Sequence, residues 1–206
     1  HYGDSLARGG DVERSRRALA QAIEIDPDFI PARVAEIKVL VHAGAELALH
    51  GANTEDFGNP LRLRRALDRG VRVLVAHCAS LGTGQDLDAG PGAPSLPSFE
   101  LFSRMMDEPG YQGLLFGDIS AVTQVNRAGN VLAGLLQREE WRSRLVNGSD
   151  YPLPGILPLF SLKLLERSGF INAKESTVLS EIRNYNPLLF DFVLKRTLRY
   201  NERSLG

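Results

Sequence analysis

Three runs of apolar residues each end in a side chain able to bind a metal or move a proton. They are Ile37-Lys38-Val39-Leu40-Val41-His42, Val71-Arg72-Val73-Leu74-Val75-Ala76-His77 and Arg144-Leu145-Val146-Asn147-Gly148-Ser149-Asp150. Two imidazoles and a carboxylate make a hard-to-borderline donor set that suits zinc, with manganese or iron as alternatives. A divalent ion held this way lowers the pKa of water from about 15.7 to about 7, and a nearby carboxylate can steer or accept the released proton. The ion also polarises a substrate carbonyl as the water attacks.

These residues act together only if the fold delivers them to one place. Each run is short and β-branched, with its polar residue last, which predicts a buried parallel strand. In parallel α/β folds the carboxyl ends of the strands build the site. The intervening sequence fits that plan. Asn59-Pro60 opens a helix through Asp68-Arg69 that Gly70 stops, and the strand to His77 starts at once. From strand to helix to strand is about 35 residues, the size of a βαβ unit. Further helices are predicted near 99–107, 124–139, 157–168 and 186–200, with a strand at 113–118. The alternation predicts an α/β fold, a parallel sheet with helices outside. Residues 81–98 read as a Gly/Pro-rich loop and, with Asp86 and Asp88, as a mobile lid. Gly82-Thr83-Gly84 lacks the pattern of a phosphate-binding loop.

Bulk properties narrow the function classes. With 206 residues and a formal net charge of −1, the chain has no basic footprint for nucleic acid. No apolar run approaches the ~20 residues that span a bilayer, so no membrane partner is expected. The single cysteine, Cys78, excludes an internal disulfide framework and fits a reducing, cytoplasmic compartment. Strand alternation points Cys78 away from His77 and predicts a buried, inert thiol. The opening His1-Tyr2-Gly3-Asp4 has neither an initiator methionine nor a signal-peptide start, and predicts a fragment.

Taken together, His42-Ala43-Gly44-Ala45-Glu46, Ala76-His77-Cys78 and Gly148-Ser149-Asp150-Tyr151-Pro152 resemble the amidohydrolase superfamily. The likeness is to its amidohydrolase-related branch of metal-dependent hydrolases and decarboxylases. It covers residues 36–206 and implies the C-terminal half of a TIM (β/α)8-like barrel, strands five to eight with their helices. By that resemblance His42 is a metal ligand, His77 is a ligand or a catalytic acid/base, and Asp150 touches the metal and takes a proton from its water. Glu46, Asp118 and Arg127 are the candidate substrate-binding residues; a hydrogen bond from Glu46 to the His42 ring or a solvated loop position for it, a turn cap at Asp118 and a solvated helix at Arg127 are the alternatives. His50 is expected at the surface.

One departure stands out. The family supplies two ligands from a His-x-His at its first strand, yet this chain has four histidines, at 1, 42, 50 and 77, and none are two apart. It therefore carries half a metal site, either as an incomplete chain or as a degenerate relative. Residues 1–35 form a helical segment, a barrel remnant or a single tetratricopeptide-like unit suggested by Tyr2, Leu6, Gly10, Ala18, Ala22 and Asp26-Pro27. The expected function is a metal-dependent hydrolase that attacks a C–N or C–O bond of a small-molecule substrate. The alternatives are a non-oxidative decarboxylase or a non-catalytic interaction module, and homo-oligomerisation stays open.

Overall fold

The computed structural model describes Gln21 and residues 39–45 and 58–205. The 1–35 segment (apart from Gln21), Glu46 and His50 therefore lie outside the described residues. Among those described, four parallel strands form one sheet in the order β1 (Val39–His42), β2 (Val73–Ala76), β5 (Leu115–Asp118) and β6 (Leu145–Val146). Val39 pairs with Val73, Val73 with Leu115, and Gly117 with Leu145. Spatial order thus follows chain order, as the alternation predicts. The molecule is mixed α/β with a parallel sheet. No described helix is long and apolar enough to cross a membrane.

β2 is central and every one of its residues is buried, which explains its unbroken Val-Leu-Val-Ala sequence. β1 lies at an edge, and Leu40 there is 63 % exposed. Between them, Asn59 caps a 3₁₀ turn (Pro60–Leu63) by accepting from the Leu61 N–H at 3.0 Å, and α1 (Arg64–Leu67) continues it. Gly70, at φ 75°, takes the left-handed conformation that ends the segment.

The 81–98 stretch is ordered into a small antiparallel ribbon, β3 (Thr83–Gln85) with β4 (Ser95–Pro97). Arg104 donates to both Asp86 oxygens at 2.8 and 3.0 Å, and Arg64 reaches Asp88 at 2.9 Å. Asp86 and Asp88 therefore fasten this ribbon to the helices rather than line a lid. α2 (Ser98–Met106) buries Leu101, Phe102, Met105 and Met106, and Phe102 meets Trp141 edge-on at 6.2 Å between centroids.

Two predicted helices are shorter than the sequence suggests. The one expected over 124–139 is α3 (Asn130–Gln137), because residues 121–128 turn irregularly and the Val125 N–H is drawn to the Leu159 carbonyl at 2.9 Å. The one expected over 157–168 is α4 (Leu162–Arg167), which starts only where the Ser161 hydroxyl caps the Leu164 N–H at 3.2 Å. α5 (Ala173–Tyr185) was not anticipated, although Asn172 and Glu175 form a capping box at its start. α6 (Pro187–Thr197) begins as expected, with Pro187 in its first turn and Asn186 capping Leu189. A short hairpin, β7 (Arg199–Tyr200) and β8 (Arg203–Ser204), follows it.

Candidate functional site

The carboxyl ends of β1, β2, β5 and β6 bring together the residues that the sequence singles out. The His42 and His77 ring centroids are 5.2 Å apart with planes at 59°. His77 Nε2 lies 3.8 Å from Asp150 Oδ2. His77 is 5 % exposed and His42 is exposed, so His42 sits at the rim and His77 is buried beside it.

The environment of His77 decides how its ring is used. Nδ1 lies 3.2 Å from the Ser120 backbone carbonyl and 2.8 Å from Ser120 Oγ. A carbonyl can only accept, so a singly protonated ring carries its hydrogen on Nδ1. Ser120 Oγ in turn donates to Asp118 Oδ2 in a short hydrogen bond. Nε2 is thereby left as a lone pair facing Asp150. Two acceptors pointed at one another call for something between them: a proton, a water hydrogen or a metal ion.

Asp118 holds this arrangement from below. It is 8 % exposed, and Oδ1 accepts from the Ser120 N–H at 2.9 Å and the Gly148 N–H at 3.1 Å. Oδ2 receives the Ser120 hydroxyl and, at 3.5 Å, the His77 backbone N–H. Of the two readings for Asp118, the turn-capping one describes what it touches. It orients His77 through Ser120 and joins the ends of β2, β5 and β6. A side chain at position 148 would collide with it, since a Cβ there would lie 2.5 Å from Oδ1.

Backbone strain collects at the same place. His77, Cys78, Ala79, Ala121 and Asp150 all have positive φ, between 50° and 58°, without being glycine. Such conformations persist only where the surroundings enforce them, and they concentrate at functional sites. Cys78 is fully buried as expected, but the left-handed turn places it there, not strand alternation. Its thiol donates to the Asp118 carbonyl at 3.3 Å, and burial pushes its pKa well above the ordinary value.

Arg127 is buried and donates to Ser80 Oγ at 2.9 Å, bracing the turn that follows His77. Three participants escaped the sequence reading. Ser120 carries no motif and is recognisable only once β5 is placed beside β2. Asp191 and Lys195, one turn apart on α6, form a buried pair with Nζ 2.6 Å from Oδ2. Burial raises the Asp191 pKa; Lys195 opposes this, and the charges of Asp118 and Asp150 add to it.

Whether a metal suits these donors can be judged from type, spacing and number. Two donors on one ion with bonds of about 2.0–2.2 Å can lie no more than about 4.4 Å apart, and the His77–Asp150 separation of 3.8 Å fits within that. The Nδ1-bonded imidazole is the tautomer a metal-ligating histidine adopts. Number falls short, because no described group of three or more His, Cys, Asp or Glu side chains is arranged to hold an ion. Compared with known protein families, curated proteins and solved structures, the chain has no match in any of the three.

Proposed function

We propose that the chain contributes one half of a metal-assisted hydrolase site, with His42 and His77 as ligands and Asp150 as the group that handles the proton of the attacking water. The observation that carries this reading is His77 Nε2 lying 3.8 Å from Asp150 Oδ2 while Nδ1 is engaged by Ser120. The four adjacent parallel strands, in chain order, are what strands five to eight of an amidohydrolase-like barrel would form, and the half-barrel is part of the proposal. A bound divalent ion, zinc by donor type, would supply Lewis acidity at that position.

The chain's own residues divide the remaining work. Asp118 and Ser120 fix the His77 ring so that Nε2 keeps its lone pair outward. Asp150 sits on a left-handed backbone in the loop that follows β6, where its carboxylate can take a proton from water and return it to a leaving amine or alcohol. The buried walls formed by β2 and β5 keep bulk water away from the Nδ1 side of the ring.

Zinc titration of the chain, followed by imidazole ¹⁵N NMR and by hydrolysis of simple amides and lactones, tests this. The expected result is a zinc-dependent shift of His77 Nε2 that weakens in His42→Ala and Asp150→Ala, with hydrolysis, where detected, abolished by Asp150→Ala. A His77 ring that ignores zinc at millimolar concentration would sink the proposal.

A further inference from the structure

The Asp191–Lys195 pair enters no proton step above, yet it lies directly behind the strand end that carries Asp150. Both side chains are 3 % exposed. Withdrawing two charges from water is costly, and apolar residues of similar volume usually serve stability as well or better. Asp191 Oδ1 is also buried with no hydrogen-bond partner, a further cost that a purely stabilising pair would not need.

The lysine does more than pair. Nζ donates to the Gly148 carbonyl at 2.6 Å and to Asn147 Oδ1 at 3.3 Å. From the other side, the Gly148 N–H donates to Asp118 Oδ1 at 3.1 Å. Gly148 is thus gripped at its carbonyl by α6 and at its N–H by the carboxylate that orients His77. Asp150 follows two residues later. We propose that Lys195, neutralised by Asp191, is a positioning residue that clamps the Gly148 carbonyl and so sets the distance between Asp150 and His77 Nε2. This rests on reading His77 and Asp150 as the acting pair.

Two measurements on the full chain test the clamp. In the wild type, the Lys195 ammonium should show slow exchange and a scalar coupling across the hydrogen bond to the Gly148 carbonyl carbon. The double variant D191L/K195M removes both charges and keeps the volume. It should retain the wild-type melting temperature, lose the nuclear Overhauser contact between the His77 ring and the Asp150 methylene, and bind zinc about 10–100-fold more weakly. A folded double variant with that contact intact overturns the proposal. So does a wild-type ammonium without the coupling, and that arm decides the matter if the double variant does not fold. If the contact is lost in the variant while the wild type ignores zinc, the hydrolase reading fails and the clamp stands.

Discussion

Two charged networks in this molecule look alike on paper and behave differently. Around the β3–β4 ribbon, Arg64 and Arg104 meet Asp86, Asp88 and Glu108, with the Arg104 side chain 37 % exposed and Asp88 36 % exposed. At the carboxyl end of the sheet, Asp118, Ser120, Asp191 and Lys195 lock together out of water, and their partners include backbone groups of β5, β6 and the turn after β2. The first network ties a ribbon to two helices, and water reaches Arg104 and Asp88, although Asp86 itself is buried. The second leaves each remaining group without a substitute when one is removed. Exposed ion pairs hold a loop; buried ones fix the atoms of a site.

The largest effect is therefore expected at Asp118. Asp118→Ala strands the Ser120 and Gly148 N–H groups and the Ser120 hydroxyl, and should cost about 3–5 kcal/mol of unfolding free energy by denaturant titration. Gly148→Ala forces a Cβ to within 2.5 Å of Asp118 Oδ1 and should cost about 1–3 kcal/mol in the same assay. Arg104→Ala, in the exposed network, should lower the melting temperature by less than about 3 °C. If Arg104→Ala matched Asp118→Ala, the contrast between the networks would be wrong.

Carboxyl ¹³C titration sharpens the same contrast by sign. Hydrogen bonding from Arg104 lowers the Asp86 pKa, so its contribution to stability is present above the unfolded value and is lost as pH falls through the folded one. Burial raises the Asp191 pKa, so the folded state takes up that proton first, and stability declines as pH climbs from the unfolded value toward the folded one. Asp86 should titrate below the ordinary aspartate value and Asp191 above it.

The contrast also marks what could be read in the amino-acid order. Val73 to Ala76, Leu115 to Asp118 and the polar strand ends announce themselves, because a buried parallel strand needs a continuous apolar run and places its last residue at the rim. His42 ends β1 for that reason, whereas His77 opens the turn after β2 and Asp150 lies beyond β6, which is only Leu145–Val146. Left-handed turns rather than strand ends bring these two to His42. Ser120, Asp191 and Lys195 are illegible because their roles exist only across elements: Asp191–Lys195 reads locally as an ordinary i,i+4 helix pair, and only the fold sets its ammonium on the Gly148 carbonyl. The α3 and α4 boundaries moved because the Leu159 carbonyl captures Val125 and Ser161 supplies a cap, and periodicity reports neither. Glu46 lies outside the described residues, and Arg127 braces the turn after His77 through Ser80.

On this geometry Asp118 and Ser120 commit the His77 proton to Nδ1 and leave Nε2 bare toward Asp150. Long-range ¹H–¹⁵N correlation of the histidine rings in the metal-free chain at pH 8 tests it directly. A pyrrole-like Nδ1 and a pyridine-like Nε2 are expected for His77, a pattern that Ser120→Ala weakens only in part because the Ser120 carbonyl still accepts from Nδ1. A wild-type ring protonated on Nε2 would contradict it.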